Sequence, residues 1–204
     1  MCIWKDPSIC NECEINEKLQ CHLDKKYTYW FVTGWLACVI PAIIGLFIAL
    51  DFITFIIYLG IWITYMVIFF TVWEPRILCS HCPYYGEGGK ILHCYANYGF
   101  YKPVPYNPYP LSTSEKVQFI IALSLFIVIP IILLIISQAY IMLIFASIGT
   151  IYWIIVIQFI ICPHCINFSC PLNRVPKSIR DKFIHRNLTI RKAWEEKGYK
   201  FEEE

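Results

Sequence analysis

Two uninterrupted apolar runs, residues 29–73 and 117–161, lead into the same thiol–imidazole signature. Cys79-Ser80-His81-Cys82 follows the first shortly, and Cys162-Pro163-His164-Cys165 follows the second directly. About 20 apolar residues already cross a bilayer, so a run of about 45 must fold back once on itself. The strongly polar breaks are Asp51 in the first run and Ser137-Gln138 in the second. Turns at those points predict four spans, near 29–50, 52–73, 117–136 and 139–161. None of them contains Lys or Arg. One such charge at mid-helix would cost about 2.5–3.5 kcal/mol on the insertion scale. A hydrophobic share of 58% also exceeds that of an ordinary soluble domain.

The expected fold is therefore an all-α integral membrane protein. It has four transmembrane helices as two duplicated hairpins, Cys/His-rich loops on one side, and a C-terminal amphipathic helix. Duplication is suggested by residues 77–82 aligning with 160–165, Ile-Leu-Cys-Ser-His-Cys against Ile-Ile-Cys-Pro-His-Cys. All 17 Lys and Arg lie outside the spans and away from both hairpin turns. The positive-inside rule then places both termini and the central loop in the cytoplasm and the chain in the cell membrane. The first span reads as an uncleaved anchor, because the polar, cysteine-rich start lacks the pattern of a signal peptide. A net charge of +2 is too small to argue for nucleic acid; the basic tail suits topology and lipid headgroups.

Five segments follow. Residues 1–27 form a Cys-rich cap, 28–73 the first hairpin, and 74–116 a loop rich in Cys, His, Pro and Tyr. Residues 117–161 form the second hairpin, and 162–204 a cysteine cluster with a basic tail. The prolines of 99–110 forbid a helix there and suggest an extended run along the membrane surface. Ser112-Thr113-Ser114-Glu115 has the form of a capping box opening the third span. Asp51 is expected to cap a helix and face water, and Cys38 to pack within the membrane as a small hydrophobe. In the tail, Ile179, Phe183, Ile190 and Trp194 fall near one face of a single helix. That helix either lies in the membrane interface or packs on the loops.

Nine of the eleven cysteines form three triplets. They are Cys10, Cys13 and Cys21 with His22; Cys79, Cys82 and Cys94 with His93; and Cys162, Cys165 and Cys170. A Cys-x-x-Cys pair wraps a metal tightly, and a third thiol plus a histidine nearly completes a tetrahedral zinc set. In a reducing compartment, such clustering points to metal or redox chemistry rather than structural disulfides. Zinc is the leading expectation. A pooled arrangement, with the triplets sharing one or two iron–sulfur clusters, is the alternative. His81 and His164, each between two cysteines, suit supporting roles, whereas His22 and His93 suit ligation. The two Cys-x-His-Cys pairs are expected to meet at the cytoplasmic mouth of the bundle.

Two resemblances supply other readings. Cys162–Cys165 resembles the Cys-Pro-His-Cys active site of thioredoxin-fold thiol oxidases, though the strand–helix alternation of that fold is missing. The outline is similar to quinone-linked disulfide-forming enzymes, small four-span bundles with cysteine pairs at the membrane edge. These imply a thiol–disulfide or quinone-linked oxidoreductase using Cys79, Cys82, Cys162 and Cys165, with no cofactor if thiols alone react. A small transporter or channel with structural metal sites is the third reading. A metal-binding membrane protein that is not itself an enzyme leads, with the lipid bilayer and a membrane or redox protein as expected partners.

Overall fold

The structure, a computed structural model, describes residues 13–16, 18–94 and 96–201. Cys10 lies outside them. Four long apolar helices dominate. Helix α1 spans Lys25–Ala49; α2 spans Phe52–Ile68 and continues through a π-helical stretch, Phe69–Trp73, into the short α3, Glu74–Ile77. Helix α4 spans Thr113–Ile136, and α5 spans Tyr140–Ile155, continuing as a π-helix through Val156–Ile161. All four are long and apolar enough to cross a membrane. No strand forms among the described residues; Ile91 and Tyr101 make one isolated bridge.

Helix ends fall where the polar breaks predict. Asp51 is the N-cap of α2, its carboxylate accepting from Thr54 N at 3.0 Å, which satisfies one of the first-turn donors. Ser137 ends α4, and Gln138 turns the chain with φ 58°. At Ser112 the capping box is complete. The hydroxyl accepts from Glu115 N at 3.3 Å, and the Glu115 carboxylate accepts from Ser112 N at 2.8 Å.

The bundle is held by close backbone approach between α1 and α5, which run antiparallel. Gly34 faces Trp153 near one end, and Gly45 faces Met142 near the other. Between them, a Cβ on Gly149 would lie 2.1 Å from the Ala37 carbonyl oxygen. Small residues at such crossings let helices pack backbone to backbone, as membrane helices commonly do. Helix α2 instead meets the bundle through large side chains: Phe55 and Trp62 are its buried members, followed by Phe69 of the π-helical stretch. The Trp62 ring stacks on Phe126 of α4 at 5.3 Å. Outward faces are apolar: Ile48, Ile53, Ile61, Ile136, Ile141 and Ile148 are all exposed. So continuous a belt belongs against lipid rather than water.

The N-terminal segment, both Cys-x-His-Cys segments and the tail gather at one end of the bundle. Gln20 N donates to His164 O at 2.8 Å, and Asn167 Nδ2 donates to Leu78 O at 3.2 Å. The tail is two helices rather than the single one expected: α6, Lys177–His185, and α7, Leu188–Glu196. The break falls at buried Asn187, whose Nδ2 donates to Phe183 O at 2.7 Å. This bond engages a carbonyl at the end of α6 and lets the chain change direction. Phe183, Ile190 and Trp194 are buried in a core shared with Ile15, Tyr84 and Ile166. The apolar face of the tail therefore packs on the loops.

Residues 99–110 form no helix, as the prolines require. They cover the Cys79 loop: Phe100, Val104 and Tyr106 pack on buried Cys79, Tyr85 and Leu92. Asn107 N donates to Ser80 O at 2.8 Å, tying this cover down.

Candidate functional site: a thiol-lined chamber at the bundle mouth

Helices α2 and α5 deliver their cysteines in the same way. Each leaves α-helical geometry through a π-helical stretch, and each then places its first cysteine and histidine in a 3₁₀ turn, Cys79–His81 and Cys162–His164. Wide π turns are rare and concentrate at functional positions. In both turns the last cysteine's N–H bonds back to the first cysteine's carbonyl, at 2.8 Å for Cys82 and 3.4 Å for Cys165. The intervening histidines are engaged elsewhere. His81 Nδ1 lies 2.6 Å from Tyr109 O with Nε2 3.4 Å from the Glu115 carboxylate, and His164 Nδ1 lies 3.0 Å from Ile160 O. A ring nitrogen facing a carbonyl must donate, so neither Nδ1 is available as a metal ligand.

Six thiols line one cavity of about 130 Å³: Cys79, Cys82 and Cys94 from the central loop, Cys162, Cys165 and Cys170 from the second. Cys165 is central. Cys82, Cys94, Cys162 and Cys170 all lie close enough for their charges to affect it or be affected by it. All six border the same cavity. Among the described residues, no three Cys, His, Asp or Glu side chains converge at the spacing of a single-ion site.

Of the first triplet, the described members Cys13 and Cys21 do not line the cavity. Cys21 is buried beside Cys82 in the loop core. Cys13 accepts from Arg186 Nη1 at 2.9 Å. His22 does not line the cavity. Neither does His93, whose half-exposed ring turns to the Glu87 carboxylate at 3.1 Å.

Three chamber residues carried no cysteine signal. Glu74 and Asn97 are buried at the wall, with Asn97 Nδ2 3.1 Å from Glu74 Oε2 and 3.3 Å from Cys79 Sγ. The Asn97 backbone N–H donates to Cys94 Sγ at 3.3 Å. Asn167 is the third, and the Oδ1 atoms of both asparagines are buried without a partner. Buried acceptors left unmatched are uncommon and call for an explanation such as an ordered water or a bound group. A signal for Glu74 was present, since an acid ending an apolar span is costly unless used. Asn97 carried none, because its role depends on a fold across 23 residues.

Burial, more than any neighbour, pushes the Cys82 and Cys170 thiols well above the usual thiol range, and nearby sulfurs add to this. Cys94 is pushed up to about 11 by the same desolvation. Unmetallated, these are protonated thiols at neutral pH. Reaction of metal-free protein with an uncharged thiol reagent should therefore be slow at pH 7. The Cys94 rate should rise about tenfold per pH unit until the thiolate dominates. Stopped-flow labelling with mass-spectrometric assignment checks this; a Cys94 rate already at plateau by pH 8 would contradict it.

The chain matches no family model, no curated protein and no solved structure. What the chamber does must be argued from its chemistry.

Proposed function

We propose that this multi-pass membrane protein holds a polynuclear, thiolate-bound metal centre in the chamber, an iron–sulfur cluster, and that its role is electron transfer at the membrane edge. Six thiols from two loops bordering one cavity carry the reading. Four thiolates on one Zn²⁺ sit about 2.3 Å from the ion, hence about 3.8 Å from one another. Six thiols on one cavity with no single-ion grouping among the described residues fit a cluster, in which separate irons take separate sulfurs. Buried, apolar surroundings and N–H donors to the sulfurs, such as Asn97 to Cys79 and Cys94, are the features by which proteins tune such centres. Cys82, Cys94, Cys165 and Cys170 are the four ligands proposed, because Cys82 and Cys165 neighbour each other and the other two.

Thiol–disulfide exchange is less well supported. It needs an accessible thiolate, and these thiols are buried with raised pKa. Anaerobically purified protein should be brown, with iron and acid-labile sulfide in equal amounts and visible absorption that bleaches on reduction. Colourless protein with stoichiometric zinc would replace the cluster by structural zinc, and metal-free protein with titratable thiols would restore the oxidoreductase reading.

The shared sequence of π-helix, 3₁₀ turn and Cys-x-His-Cys supports a duplicated hairpin. The positive-inside rule supports a cytoplasmic chamber and cytoplasmic termini. A reporter fused after Glu204 should be active only on the cytoplasmic side. Activity outside the membrane would reverse the orientation.

A further inference from the structure

Both hairpins carry a guanidinium at the same place, where the chamber-side helix leaves the membrane. The repeat alignment that pairs residues 77–82 with 160–165 also pairs Arg76 with Phe159. Arg76 is exposed on α3, three residues beyond the exposed Trp73. Phe159 has no charge of its own, but Arg174 brings one: its guanidinium carbon lies 5.2 Å from the centre of the Phe159 ring. An aromatic face attracts a cation held over it. Neither arginine is ion-paired among the described residues, whereas Lys177, Arg180, Lys182, Arg186 and Arg191 each lie within reach of a carboxylate.

The position of Phe159 describes what this pair would meet. The ring is 66% exposed and completes an outward stripe of α5 with exposed Ile144, Ile148 and Ile155, which recur at the spacing of one helix face. That face lies against lipid, so Arg174 stands where hydrocarbon gives way to headgroups. Its backbone is fixed there: Arg174 N donates to Cys162 O at 3.2 Å, Asn173 Nδ2 donates to Cys165 O at 2.7 Å, and Val175 is buried. We propose that Arg174 and Phe159 bind the phosphodiester of an acidic phospholipid, its acyl chains lying along Ile148 and Ile155, and that Arg76 beside Trp73 is the equivalent site of the first hairpin. A planar guanidinium meets a phosphate through two parallel hydrogen bonds. The lipid is acidic because no protein carboxylate offsets either arginine, and a choline headgroup would bring a second cation to the same edge. Free phosphate has no chain to lay on the apolar stripe. The site is independent of what occupies the thiol chamber.

The test is native mass spectrometry of the purified full-length protein in detergent, titrated with phosphatidylglycerol or with phosphatidylcholine of the same acyl chains. Phosphatidylglycerol should be retained in preference, with two tight adducts per chain. Arg174→Gln should weaken one of them about fivefold, the weight of one basic side chain at a membrane surface. Adding Arg76→Gln should weaken the other and remove the preference for the acidic lipid. Phe159→Leu keeps an apolar contact but removes the ring under the cation, and should weaken the Arg174 adduct without touching that of Arg76. Lys192→Gln, the same loss of charge at an exposed position of α7, should change neither. Equal retention of the two lipids by the unaltered protein overturns the proposal. So does an equal effect of Arg174→Gln and Lys192→Gln, which would mean diffuse basic charge, or displacement of the lipid by millimolar inorganic phosphate, which would mean a simple anion site. Metal content measured on the same samples reports the cluster reading separately.

Discussion

Changing Cys82 and Cys165 to serine together is expected to remove all bound metal from the purified protein. These two thiols come from different hairpins and meet in the same chamber, so each single change should also lose most of the metal. Serine oxygen binds softer metals far less well than thiolate does. The three described cysteines that do not line the cavity serve as controls. Cys13→Ser, Cys21→Ser and Cys38→Ser should leave the metal complement unchanged, because none of them lines the cavity. Iron, zinc and sulfide analysis beside the visible spectrum reads the result. If the double variant retains full metal, the chamber is not the site, and the proposed function falls with it. The loops have an apolar core of their own, in which Phe183 and Ile184 are fully buried. Metal loss should therefore loosen residues 74–116 to proteolysis without unfolding the tail, a partial opening rather than global unfolding.

The largest effect within the membrane should come from Gly149. Any side chain there places a carbon 2.1 Å from the Ala37 carbonyl oxygen, well inside contact distance, and the obstacle is backbone that cannot rotate away. Gly149→Leu must force α1 and α5 apart along their closest crossing. A cost of about 3 kcal/mol or more follows from overpacking so tight a contact. Gly60→Leu is the matched control: nothing lies within 4 Å of its added Cβ, and its face of α2 is exposed. Thermal or denaturant unfolding in detergent should show a large loss for the first variant and little change for the second. Equal stability of the two would mean that α1 and α5 do not pack through Gly149.

Apolar run length and the polar breaks determined most of the membrane architecture. Helices end at Asp51 and Ser137 because the side chains that interrupt the hydrophobic runs are also those able to cap or turn a chain. Ser112 and Glu115 specify the start of α4 for the same local reason. The chemistry of the cysteines was legible only in part. Spacing identified the Cys-x-His-Cys hooks, and the even number of spans between them implied a common side. Which thiols share a space depended on how two hairpins pack, which no local pattern records. His93 looked like a ligand by its adjacency to Cys94, yet the neighbouring loop turns it to Glu87.

Local sequence, through hydrophobic length, capping and proline, determined the number, position and relative direction of the four helices. The tertiary structure decided what they enclose. Glycines on α1 and α5 let two helices from different hairpins meet closely, and α2 joins the bundle through large aromatic residues. The resulting gap at the bundle mouth is lined by sulfur above and aromatic rings below. Asn97, far in sequence from Glu74 and Cys79, reaches both only because the central loop folds back over the chamber. Contacts between distant segments depend on the balance of packing over the whole molecule, whereas spans and caps depend on neighbours a few residues away.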